Sequence, residues 1–79
     1  MSAKILITKL LPILNRLVNA GVVSPQTLQG YVSEAMKRPA LSIGDVMSDL
    51  YGFDIPEDKA PAFAAVLQML KLKKEEEIQ

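Results

Sequence analysis

The sequence predicts an all-α fold, a compact bundle of four helices over about residues 3–20, 25–37, 43–51 and 57–74, joined by short capped connections. Two observations carry that expectation. Apolar residues recur through the chain at the i, i+3, i+4, i+7 spacing of a helix face. Between those runs stand the residues that stop and start helices: Gly21 then Ser24, Pro39 then Ser42, and Gly52 then Asp54. With 79 residues, 49% of them apolar, the chain has material for one core and no second one. A single domain over residues 1–74 is therefore expected, followed by a charged tail, residues 75–79, that frays.

The first helix is predicted over residues 3–20. At 100° per residue, Leu6, Ile7, Leu10, Leu11, Ile13, Leu14, Leu17 and Val18 fall on one broad arc, with Lys4, Thr8, Lys9, Asn15, Arg16 and Asn19 opposite. So wide an arc suits burial against two neighbours, or against one neighbour and a partner. Pro12 lies on the polar side, where water can satisfy the Thr8 carbonyl it deprives of a donor, so a bend or a break is expected there. Gly21 is the left-handed residue that ends the helix, with Val22 placed to fold back on Leu17.

The second helix opens on Ser24 as N-cap and Pro25 at the first helical position, with Val23 and Leu28 as an apolar staple. Leu28, Tyr31, Val32, Ala35 and Met36 mark its buried face, and Pro39 ends it near Lys37. For the third helix, Ser42 and Asp45 form a capping box, Ile43, Val46, Met47 and Leu50 its apolar stripe, and Gly52 its stop. The fourth has two candidate starts, Asp54 with Glu57 or Asp58 ahead of Pro61. Its core stripe is Phe63, Val66, Leu67 and Leu70. Residues 71–77 are charged and end in three acids, at the unfavourable end of the helix dipole.

An echo at an offset of 31 pairs Gly21 with Gly52, Pro25 with Pro56, Val32 with Phe63, Ala35 with Val66 and Met36 with Leu67, as though a helix, turn and helix occurred twice. Leu14 against Asp45 and Leu28 against Lys59 break the pattern, and helical periodicity alone generates several of the matches.

Composition excludes several chemistries. The chain has no cysteine and no histidine, which removes disulfides, thiolate metal sites, the commonest neutral metal ligand and the commonest general base. Catalysis is not expected, and neither is a cofactor or a metal. Asp45 and Asp49 stand one helical turn apart with Asp54 and Asp58 to follow, but no twelve-residue calcium loop surrounds them, and a solvated acidic face accounts for them. Gly21, Gly30, Gly44 and Gly52 are isolated and form no phosphate loop. Met36, Met47 and Met69 occupy core or near-core positions and read as gap fillers.

Lack of cysteine suits a reducing, cytoplasmic setting. The apolar run from Ile5 to Val23 is broken by Lys9, Pro12, Asn15, Arg16 and Asn19, so neither a transmembrane segment nor a secretory signal is expected. Net charge is zero but unevenly placed. Residues 1–40 carry Lys4, Lys9, Arg16, Lys37 and Arg38 against Glu34, whereas residues 41–58 carry Asp45, Asp49, Asp54, Glu57 and Asp58 with no base. That polarity favours steering toward a charged protein surface over nonspecific nucleic-acid binding. Helix, glycine turn and helix over Leu17 to Met36 also fit a helix-turn-helix, with Gln26, Thr27, Gln29, Lys37 and Arg38 as groups able to touch DNA. Glu34 on the would-be reading helix and the zero net charge count against it.

The segment LNRLVNAGVVSPQTLQGYVSEA, Leu14 to Ala35, resembles the helix, glycine corner and helix that opens the N-terminal regulatory domain of type II secretion and type IV pilus assembly ATPases. LSIGDVMSDLYGFDIPE, Leu41 to Glu57, is similar to that family's next step, a glycine-containing helix that stops at a glycine before a new cap. The resemblance spans a little over half the chain and rests on helix-corner chemistry. It implies a helical adaptor that docks onto a component of an envelope assembly, without ATPase activity of its own. Some such domains bind cyclic di-guanylate through an Arg ahead of the helix-opening Gly and a Gln closing the next helix. Here Ser42 and Ile43 precede Gly44, Gln68 is out of register and the Gly44 to Gly52 spacing is one residue longer, so the nucleotide is not an expected ligand.

The function these readings predict is a protein-interaction module, adaptor or regulator, whose partner is another protein or a second copy of the chain. Leu6, Lys9, Leu10, Ile13, Arg16 and Leu17 of the first helix are its expected contact residues. A DNA-binding regulator, or the antagonist of one, is the alternative.

Overall fold

The computed structural model describes residues 2–78, the side chain of Ile78 excepted. Four α-helices form, α1 (Ala3–Asn19), α2 (Pro25–Ala35), α3 (Ile43–Tyr51) and α4 (Ala60–Ile78), with one 3-10 turn, Glu57–Lys59, ahead of α4. The described residues contain no strand.

Local chemistry explains most of the boundaries. α1 starts where the Ser2 hydroxyl accepts the Ile5 N–H at 3.3 Å. It runs unbroken through Pro12, whose exposed position leaves the unpaired carbonyl to water. Gly21, at φ 74°, then ends it. The Val22 N–H reaches back to the Leu17 carbonyl at 2.8 Å and the Gly21 N–H to that of Val18 at 3.0 Å, the paired closure of a left-handed helix stop, while Val22 is buried. Ser24 caps α2 by accepting the Thr27 N–H at 3.1 Å, with Pro25 first in the helix. Ser42 and Asp45 close the expected capping box of α3 with two 3.0 Å bonds, one in each direction.

Three ends differ from expectation. α2 stops at Ala35, two residues early, because the bonds from Lys37 to the Glu34 carbonyl and from Arg38 to that of Ala35 tighten the last turn ahead of Pro39. Neither expected cap opens the fourth helix over residues 57–74. A 3-10 turn springs from Pro56 without a side-chain cap, and α4 proper begins at Ala60 with Pro61 in its first turn. At its far end α4 keeps helical geometry to Ile78, past residue 74. Lys and Glu are good helix formers, and Lys73 pairs with Glu76 at 3.8 Å.

α1 is the central element. It packs against α2 on one side and α4 on the other, and α3 packs on α4. Of the eight largest fully buried side chains, five belong to α1 (Leu6, Ile7, Leu10, Leu14 and Leu17). The others are Val46 and Leu50 of α3 and Leu70 of α4. Most of the broad arc of α1 is thus consumed by packing inside the fold. Gly44 lies beside Lys74 and Gly21 beside Lys59, so α4 runs antiparallel to α3 and to α1.

The 31-residue echo acquires a physical counterpart and a limit. Both corners border one hollow of about 870 Å3, to which Gly21, Pro25, Gly52 and Pro56 all contribute. Their backbones differ, however. Gly21 is left-handed, whereas Gly52 has φ −82°, and Pro25 opens an α-helix where Pro56 opens a 3-10 turn.

Candidate functional site

Of the six contact residues expected on α1, Leu6, Leu10 and Leu17 are buried in the core and unavailable to a partner in the folded chain. Ile13 is half-buried, and Lys9 and Arg16 are exposed. The exposed large apolar side chains lie elsewhere: Ile5 on the polar side of α1 (55% exposed), Tyr51 at the end of α3 (68%) and Leu72 on α4 (51%). Tyr51 stands edge-on to Phe63 with ring centroids 6.1 Å apart.

The apolar arc of α1 also has a margin that the core does not cover. Leu11 and Val18 lie on its α2 side, both half-buried. Together with Pro25, Leu28 and Val32 of α2 they line a groove of about 260 Å3 between the two helices, and Asn15 and Gln29 are its polar members. Local chemistry places each wall. The glycine corner and the Ser24 cap turn α2 back along α1, and the seven-residue spacings from Leu11 to Val18 and from Pro25 to Val32 keep each pair on one line of its helix.

Of the acidic residues over 41–58, Asp45 and Asp49 are engaged within the fold. Asp49 accepts the Tyr31 hydroxyl and the Arg38 guanidinium, each at 2.8 Å, and so ties α2 and the segment after it to α3. Burial, followed by the hydrogen bond to Asp49, raises the Tyr31 phenol above the ordinary tyrosine range. The Ser42 N–H and then the Ser42 hydroxyl hold the Asp45 carboxyl below its ordinary value. Among the described residues no group of three or more Asp or Glu side chains is placed to hold a metal ion. This network joins residues 11 and 18 apart in sequence and was not legible beforehand. The one available signal was the tyrosine itself, since a Tyr on a core-facing stripe needs a partner for its hydroxyl.

The helix-turn-helix candidates divide. Gln26, Thr27 and Gln29 are exposed on α2. Lys37 pairs with Glu34 at 3.4 Å, and Arg38 is held by Asp49. Around Gly44 a shallow hollow of about 310 Å3 is lined by Leu6, Leu41, Ser42, Lys74 and Glu77, while Gln68 is exposed on α4 and does not line it. Met36, Met47 and Met69 are half-buried, and the first two pack against the core.

No helix among the described residues is long and apolar enough to cross a membrane. Comparison with protein-family models, with curated proteins and with solved structures finds no match to this chain.

Proposed function

We propose that this chain is a non-catalytic helical adaptor or regulatory module that acts by binding another protein through its α1/α2 hairpin. The observation that supports the reading is the apolar groove between those helices, where Leu11, Val18 and Val32 stay partly open to solvent. The resemblance to the regulatory domains of secretion and pilus assembly ATPases points to a component of such a machine as the partner. A homodimer would have to use residues other than Leu6, Leu10 and Leu17, which the core occupies.

The test is photo-crosslinking in the source cell from single exposed positions spread over the surface: Lys9, Gln29, Ala64 and Gln68. A discrete adduct to another protein from at least one position is the expected result. Absence of adducts from all four overturns the reading.

Exposure of Gln26, Thr27 and Gln29 on one helix favours the DNA-binding alternative. Mobility shift at two salt concentrations separates the two, because phosphate binding weakens steeply with salt.

A further inference from the structure

The helices pack in the order α2, α1, α4, α3, so α2 and α3 are the outer two. They are not held alike. Val46 and Leu50 of α3 are among the eight largest fully buried side chains of the described residues, and α2 supplies none of the eight. Its buried residues are Leu28 and Ala35, with Tyr31 and Val32 half-buried. Nor does the helix hold itself together well. Gly30 stands in its middle with nothing within 4 Å of the place a Cβ would take, and no ion pair lies wholly within Pro25–Ala35.

Hollows border α2 toward α1 and toward the α3/α4 corner. The first is the groove shared with Leu11 and Val18. The second, of about 870 Å3, is lined by Pro25 and Thr27 of α2 and by Phe53, Asp54 and Pro56. What joins α2 to α3 is concentrated in one cluster. The Asp49 Oδ2 atom accepts both the Tyr31 hydroxyl and the Arg38 guanidinium, each at 2.8 Å, and the Tyr31 ring stands edge-on to Phe53 with centroids 5.5 Å apart. Arg38 belongs to the connection that follows α2, so a single carboxylate holds both the helix and its exit. Val22 ahead of α2 and Leu41 after it are buried and pin the chain at both ends.

We infer that α2 is a detachable segment: the residues between Val22 and Leu41 open as one unit while α1, α3 and α4 stay folded, and Asp49 is the latch that holds the closed state. Released from α1, a helix of eleven residues is too short to persist in water, so leaving and melting are one event. Opening bares the edge of α1 formed by Leu11 and Val18 together with Leu14, which is buried in the closed chain and lies one turn from each. The opening equilibrium thereby sets how much apolar surface α1 presents. The inference stands on packing and does not depend on the proposed binding role.

Native-state hydrogen exchange of the intact chain, followed amide by amide by NMR, tests it. The α2 amides of residues 29–35 are expected to share one opening equilibrium and to exchange at least tenfold faster than the most protected amides of α1 and α4. Val66→Ala separates this opening from global unfolding. Val66 is buried on α4, which packs on α1 and α3, so the packing it loses is common to the closed and open states. The variant is expected to speed the most protected amides of α1 and α4 at least fivefold and those of α2 by less than half that factor. Asp49→Ala removes the latch and is expected to speed the α2 amides at least tenfold. Tyr31→Phe keeps the ring against Phe53, loses only the hydroxyl, and is expected to speed them by about two- to tenfold.

Any one of three results overturns the inference: α2 amides as protected as the best of α1 and α4, an equal response of all amides to Val66→Ala, or α2 rates untouched by the latch variants. Should Asp49→Ala fail to fold, Tyr31→Phe decides the last of these.

Discussion

Leu10→Ala asks whether the apolar arc of α1 is core. Leu10 is fully buried at the centre of the helix, flanked along its face by Leu6, Ile7, Leu14 and Leu17. Truncation removes the transfer free energy of the lost carbons and leaves a cavity among close-packed neighbours, at a cost of about 3 kcal/mol. A domain of this size has a total stability of roughly 4–12 kcal/mol, so the variant keeps its fold with little margin. At about 4–8 °C per kcal/mol, the melting temperature falls by roughly 12–24 °C. In urea, with a slope near 1 kcal/mol/M, the midpoint falls by about 3 M. Ile5→Ala on the same helix is the reference. Ile5 is 55% exposed, and its truncation is expected to cost less than about 1 kcal/mol. Urea titration followed by far-UV circular dichroism measures both. Equal costs, or a Leu10→Ala cost under about 1 kcal/mol, would refute the placement of α1 at the centre of the core.

Other outcomes follow from individual residues. Gly21→Ala forces a side chain into the left-handed region at φ 74° and should destabilise by about 1–2 kcal/mol. A Cβ on Gly30 meets nothing within 4 Å, so Gly30→Ala should stabilise by about 0.5–1 kcal/mol, and a matched pair of urea titrations reads the opposite signs. Tyr31→Phe removes the hydroxyl that Asp49 accepts and should cost about 0.5–1.5 kcal/mol, while absorbance titration of the unaltered chain should show the Tyr31 phenol ionising above the ordinary range. The Asp45 carboxyl is held below its ordinary value, so its contribution is present above the ordinary carboxylate pKa and lost as pH falls through the lowered one. Thermal melts from neutral to acid pH should therefore fall less for Asp45→Asn than for the unaltered chain, and parallel curves would remove Asp45 from the acid response.

The parts of the fold that could be read in advance rest on chemistry within five residues of chain. Ser24 with Pro25, Ser42 with Asp45, and Gly21 with Val22 each close a backbone group that a helix end leaves open, and each does so at the expected position. Where two local signals compete, the sequence alone does not rank them. Asp54 and Asp58 both suit a cap, and the prolines at 56 and 61 replace both with a 3-10 turn. At residues 71–78, side-chain pairing and helix-forming composition outweigh an unfavourable dipole.

None of the six contact residues expected on α1 lines the groove proposed as the binding surface, for a different reason. Periodicity identifies the apolar arc of α1 but not which of its margins a neighbour covers, because that depends on how many helices pack around it. With α2 on one side and α4 on the other, Leu6, Leu10 and Leu17 go inside and Leu11 and Val18 remain at the edge. The link among Tyr31, Arg38 and Asp49 escaped for the same cause, since it exists only once α2 and α3 are brought together.

Leu17 and Val18 are consecutive residues with opposite assignments, one fully buried and one on the groove wall. The chain has no cysteine of its own, so Leu17→Cys and Val18→Cys can each be labelled as a single thiol under native conditions. Prompt labelling of Val18→Cys, with Leu17→Cys labelled only at the rate of global unfolding, is the predicted result. Equal rates, or faster labelling of Leu17→Cys, would contradict the division of α1 into a core face and a solvent-open edge.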